Sequence, residues 1–136
     1  MSTYLFVTRP EYTPERVESG FEVPVPWWSC SSTTENGDWA LVYVTGLGIR
    51  YEWRLTSDAK PHEEWKYICH VEYARTFAPP ITLREIRAAV PKDDWAPPHL
   101  DFRGYKSILV PDAVADRIRA LRPGTPETNT VRWDGG

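Results

Sequence analysis

Apolar and polar positions divide this chain into short blocks with β-like and helix-like periods. Tyr4-Leu5-Phe6-Val7-Thr8 reads as an opening strand that Pro10 ends. Thr13–Glu18 carries the signals of a helical turn: a Thr cap, Pro14 at the first helical position, and Gly20 as a stop. Val23–Pro26 leads by Pro-punctuated steps into Trp27-Trp28-Ser29-Cys30, and the polar run Ser31–Gly37 closes in the turn signal Asn36-Gly37-Asp38. Trp39–Thr45 is almost continuously apolar and predicts a central strand. Gly46-Leu47-Gly48 turns the chain into Ile49–Thr56, where Ile49, Tyr51, Trp53 and Leu55 alternate with Arg50, Glu52, Arg54 and Thr56. That alternation predicts an antiparallel strand with its charged face in water.

Ser57–Glu64 reads as a polar loop, and Trp65–Phe77 contains a long strand that Ala78-Pro79-Pro80 is expected to break. Thr82–Val90 is the clearest helix: Thr82 caps it, Glu85 completes a capping box, and Leu83, Ile86 and Val90 share a face. Pro91 stops it, and Trp95–His99 is a Pro-rich loop. Phe102-Arg103-Gly104 precedes a last strand, Lys106–Val110, and Pro111–Leu121 predicts a second helix with Val114, Ile118 and Leu121 inward. No repeat, heptad or βαβ alternation is present. The expected fold is α+β: a mixed, mostly antiparallel, five- to six-stranded pseudo-barrel with short peripheral helices. One domain is expected over residues 1–122, with a flexible tail over 123–136.

Composition narrows the classes. The chain has 136 residues, long enough for one core, and no apolar run near the roughly 20 residues of a membrane span. The opening residues lack a secretory leader pattern, so a cytoplasmic setting and two free thiols, Cys30 and Cys69, are expected. No metal or other cofactor is expected: there is no CxxC, and His62, His70 and His99 lack ligand spacing. The net charge of −3 does not fit a protein that coats a phosphate backbone. Arg103, Lys106, Arg117, Arg119 and Arg122 outnumber Asp101, Asp112 and Asp116 near the C-terminal end, which leaves room for a local basic face.

Candidate chemistry is sparse, and no enzyme is expected. Ser29 and Cys30 have no nucleophile-elbow context, Asp93-Asp94 fits a solvated loop, and His99 reads either as loop packing or as a ligand hydrogen-bond partner. Aromatics are the stronger signal, with seven Trp, seven Tyr and four Phe. Trp39, Tyr43, Tyr51 and Trp53 sit at strand period, where core packing is the default. The tandem Trp27-Trp28 is read as lying on a loop, where period does not send both rings inward. One ring is then available to stack a nucleobase, beside the small polar groups of Ser29, Ser31 and Thr33.

In order and spacing, these elements resemble the EVE domains of the PUA-like superfamily over about residues 3–122. The resemblance rests on Tyr4–Thr8; Trp28-Ser29-Cys30; Asn36-Gly37-Asp38 before Leu41-Val42-Tyr43; and Ile49–Trp53 with Thr56-Ser57-Asp58-Ala59. It continues through Pro80-Ile81-Thr82-Leu83-Arg84-Glu85-Ile86 and Phe102-Arg103-Gly104. It implies a non-catalytic reader of a modified base, such as 5-methylcytosine or 5-hydroxymethylcytosine, flipped out of DNA; related domains read modified RNA. It also implies a nuclease or helicase as a possible partner and no membrane. Trp28 and Ser29 match the family's pocket segment, Tyr43 the strand after Gly-Asp, and Arg103-Gly104 the basic stretch before the last strand. The expected base pocket is Trp27, Trp28, Ser29, Cys30 and Tyr43. The expected phosphate or backbone contacts are Arg9, Arg103, Gly104 and Lys106. Ser31–Glu35 replaces the Arg-Asn-rich run of many members. Two alternatives stand beside this reading. One is a hydrolase of acylated cytidine like the ASCH domains, whose Lys-Glu motif Gly104-Tyr105-Lys106-Ser107 does not complete; the other is a protein-interaction adaptor.

Overall fold

The computed structural model describes residues 1–10, 27–102, 104–123 and 125–126. The expected turn at Thr13–Glu18, the approach Val23–Pro26, Arg103 and most of the tail lie outside them. Among the described residues eight strands form one mixed sheet: β1 Thr3–Thr8, β2 Trp27–Ser29, β3 Trp39–Val44, β4 Gly48–Leu55, β5 Lys60–His62, β6 Lys66–Ile81, β7 Ser107–Val110 and β8 Thr125–Pro126. Two helices, α1 Leu83–Ala89 and α2 Asp112–Ala120, and a 3₁₀ turn at Pro97–Leu100 complete the fold.

The main strand order is β2-β6-β4-β3-β1-β7, with β5 and β8 also pairing with β6. Only β1 and β3 run parallel. Both are central, which explains why their apolar runs are nearly unbroken: each strand is buried on both faces. The two ends of the order then approach each other. The Ser31 hydroxyl, just past β2, lies 3.3 Å from Ser107 Oγ and 3.4 Å from Ser107 O at the start of β7. The sheet is therefore curled into a half-barrel.

Alternation along the strands builds two cores. Tyr4, Phe6, Ala40, Val42, Tyr51, Trp53, Leu55, Cys69 and Val71 pack on the concave side. Leu5, Leu41, Tyr43, Ile49, Phe77 and Ile81 pack on the other side, beneath Ile86, Val90, Val114, Ala115 and Ile118 of the helices. The simple alternation expected for β4 fails at one point. Val42 pairs with Tyr51 but Tyr43 pairs with Ile49, so Arg50 is an extra residue on β4. This bulge turns Ile49 to the helix side while Tyr51, Trp53 and Leu55 stay inside. Gly48 has φ +124, and a Cβ there would sit 2.3 Å from the Ile81 carbonyl oxygen, so only glycine fits where β4 meets β6.

Three expectations change. Ala78-Pro79-Pro80 does not end β6, which continues to Ile81 with a cis Ala78–Pro79 bond. This edge-like stretch accommodates prolines because its ladder to β4 skips from Thr76 to Ile81. Ser57–Glu64 is not all loop, since Lys60–His62 pairs with Lys66–Ile68. The expected tail begins as strand: Thr125 and Pro126 pair with Thr76 and Arg75. The expectations for Thr82–Val90 and Pro111–Leu121 hold as α1 and α2. Thr82 Oγ1 accepts the Glu85 N–H at 3.2 Å, and Glu85 Oε1 accepts the Thr82 N–H at 3.0 Å.

Candidate functional site

Trp27 and Trp28 do not lie on a loop. They form β2, antiparallel to β6, with Trp27 opposite His70, Trp28 opposite Cys69 and Ser29 opposite Ile68. Their rings part because strand neighbours point to opposite faces. Trp28 turns inward, half-buried, and its ring meets Trp53 edge to face at 5.4 Å and 69°. Trp53 is fully buried and meets Phe6 edge to face at 6.4 Å. The Trp53 indole Nε1 finds no hydrogen-bond acceptor among the described residues. Trp27 turns outward, is 37% exposed, and stacks on His62 of β5 at 5.6 Å and 28°.

Cys30 follows on the inward side. Its N–H donates to Tyr67 O, which keeps it against β6 beyond the end of β2. The buried Thr34 hydroxyl lies 3.2 Å from Cys30 Sγ and 3.0 Å from Ser31 O. The Cys30 thiol is pulled down from an ordinary 9.0 to about 7, first by the hydrogen bond from the Cys69 thiol, against the opposing effect of burial, and then by Thr34. The Cys69 thiol is pushed up, because it keeps its proton toward Cys30 and is fully buried. Tyr4 OH lies 2.9 Å from Thr33 Oγ1, which ties the same polar loop to the floor of the concave face. Asp38 shapes that loop from below, accepting the Ser2 and Glu35 N–H groups at 2.8 and 2.9 Å.

Of the expected pocket, the structure brings Trp28 and Cys30 together. Ser29 shares the outer side of β2 with Trp27 by alternation. Tyr43 is on the opposite side of the sheet, buried against Phe102 at 4.8 Å in the helix-side core. There burial pushes its phenol up from an ordinary 10.0, and the Arg87 guanidinium partly offsets the shift. Trp53 backs Trp28 from within the core, with Phe6 against its other side. Strand period assigned Trp53 to core packing, and its ring is fully buried.

The expected cations divide. Lys106 and Arg9 are exposed and meet at one rim, since Val7 N donates to Lys106 O at 2.9 Å and Arg9 is two residues further along the chain. Lys106 adjoins Ser107, which touches Ser31, so this rim is the one where the chain leaves Trp28 and Cys30. Gly104 is exposed, with φ +80 and open space around it. Arg117, Arg119 and Arg122 do not form a basic face. They pair with Asp94, Glu52 and Glu85 respectively. His99 is a packing residue, its Nε2 lying 2.7 Å from Val90 O. Among the described residues no cluster of His, Cys, Asp and Glu is arranged to hold a metal ion. None of the helices there is long and apolar enough to cross a membrane.

No protein-family model matches the chain, and no curated protein matches it. Solved structures do. Protein Rpa0253 from Rhodopseudomonas palustris is similar with a TM-score of 0.67 at 16% identity, over 89% of this chain and 92% of that one. Protein Atu2648 from Agrobacterium tumefaciens is similar with a TM-score of 0.69 at 13% identity, over the same shares, 89% and 92%. At such identities the likeness is one of fold.

Proposed function

We propose that this chain is a non-catalytic reader of a modified nucleobase, of the EVE type within the PUA-like superfamily, and that the base enters the concave face beside Trp28. The observation that carries the reading is half-buried Trp28 on that face, braced edge to face by the fully buried Trp53 ring. A half-buried indole offers a π-face worth about 1–3 kcal/mol per stacked base. That stacking works against the few kcal/mol needed to unstack and flip a base. Lys106 and Arg9 at the neighbouring rim supply cations for flanking phosphates. The net charge of −3 keeps the general phosphate attraction low, so selectivity rests on the base.

The test is a binding panel of oligonucleotides with cytosine, methylated and hydroxymethylated cytosine, and methylated adenine, each in DNA and RNA. One modified base should bind at least about tenfold tighter than its parent, an advantage of about 1.4 kcal/mol. Equal affinity across the panel at physiological salt overturns the reading. The exposed pair Trp27 and Trp65, at 37% and 47%, favours the adaptor as a second reading. Capture of a nuclease or helicase that depends on Trp65, with no base preference, would support the adaptor instead.

A further inference from the structure

Cys30 and Cys69 play no part in stacking or phosphate contact, yet they share the concave side of adjacent strands. Trp28 is paired with Cys69, and the Cys30 N–H bonds to Tyr67 O, so both sulfurs lie on the inward face of the β2–β6 pair. Both are free thiols, Cys69 fully buried and Cys30 half-buried beside it. The Thr34 hydroxyl is 3.2 Å from the Cys30 sulfur, and Cys69, on the same face of the paired strand, is the largest cause of the lowered Cys30 value. A hydroxyl and a thiol thus neighbour the sulfur of half-buried Cys30.

We propose that Cys30 is a peroxide-sensitive modification site, that Cys69 resolves it into an intramolecular disulfide, and that this bond regulates the face next to Trp28. The Cys30 thiolate attacks one oxygen of hydrogen peroxide, the O–O bond breaks, and hydroxide leaves to become water. Cys30 is now a sulfenic acid. The Cys69 sulfur then attacks the Cys30 sulfur, the S–O bond breaks, and the departing oxygen leaves as a second water with the Cys69 proton. Two thiols have lost two electrons, and one peroxide has become two waters. A thiolate fraction at neutral pH follows from the lowered Cys30 value of about 7. The bond ties the exit of β2 to β6 and removes the thiolate toward which Thr34 donates. Because Trp28 lies directly across from Cys69, its ring is drawn into the change.

The experiment treats the reduced full chain with one equivalent of hydrogen peroxide and maps the product by mass spectrometry. The expected product is a monomer lighter by two hydrogens, with a Cys30–Cys69 peptide pair that dithiothreitol releases. Cys69→Ala should stop at a Cys30 sulfenic acid that dimedone captures, and Cys30→Ser should leave Cys69 unoxidised. The wild-type map decides the matter even where a variant folds poorly. Two unreacted thiols, a disulfide only between copies, or Cys69 oxidised in Cys30→Ser overturns the proposal. The regulatory part rests on the base-reading function and predicts at least a threefold change in affinity for the preferred oligonucleotide on oxidation. Unchanged affinity with the disulfide formed overturns regulation alone. Disulfide formation in a protein that binds no base separates the failure of that function from the failure of this site.

Discussion

Glu52 occupies a position where the alternation of β4 puts charge toward water, yet it is 2% exposed. The helix side of the sheet is covered by α2, and Arg119 reaches across to hold Glu52 Oε2 at 2.7 Å while Arg75 holds Oε1 at 3.1 Å. Arg119 also donates to Thr3 Oγ1 at 2.9 Å, so one carboxylate joins α2, β4, β6 and β1. Glu52→Ala leaves two guanidinium groups without their buried partner and should cost about 3–5 kcal/mol in urea denaturation. Gly48→Ala should also destabilise, by about 1–3 kcal/mol from the backbone conformation alone, before the clash with Ile81 O is counted. At the site, Trp53→Ala opens a fully buried space and should cost about 3–5 kcal/mol, whereas half-buried Trp28→Ala should cost less and still fold. The Cys30 thiol gives a pH signature. Alkylation by iodoacetamide should rise through about pH 7, not near 9.0, and Thr34→Val should shift that midpoint upward by removing a donor.

The α1 helix was legible in full because its signals are local: Thr82 and Glu85 cap each other within three residues. The tertiary use of Glu85 was not legible. Its carboxylate also takes the Arg122 guanidinium at 2.7 Å, which fastens the end of α2 to α1. The Thr82 N–H and Arg122 hold the Glu85 carboxyl below its ordinary 4.5. A depressed carboxyl stabilises the fold fully above its ordinary value and loses that contribution as pH falls through the depressed one. The difference in urea midpoint between wild type and Glu85→Gln should therefore shrink on going from about pH 6 to about pH 3. Strands β1, β3 and β4 were legible from apolar runs and alternation. The short strands β2 and β5 were not, because three-residue segments carry no period and exist only through pairing with β6. That gap explains the site as well. Reading Trp27-Trp28 as a loop left one ring available without saying which, whereas the strand assigns Trp27 outward to His62 and Trp28 inward to Trp53. Tyr43 was placed by resemblance to a strand and not by face, and the face decides that it packs under the helices.

On the scale of the molecule, the half-barrel brings distant segments to one rim: the exit of β2, the end of β1 and the start of β7. The cations on and just after α2 are paired with Asp94, with Glu52 of the sheet and with Glu85 of α1, while Lys106 and Arg9 are exposed beside the concave face. Binding to unmodified duplex should therefore be weak, with a shallow dependence on salt set by about two phosphate contacts. The same folded surface should discriminate bases through stacking, which salt screens little. The most direct measurement is the ratio of affinities for a modified oligonucleotide and its unmodified parent, taken by fluorescence anisotropy for wild type and for folded Trp28→Ala. Base stacking on Trp28 predicts a ratio of at least about tenfold in wild type that falls to near unity in Trp28→Ala. A wild-type ratio near unity for every modification, or a ratio that survives the loss of Trp28, would contradict it.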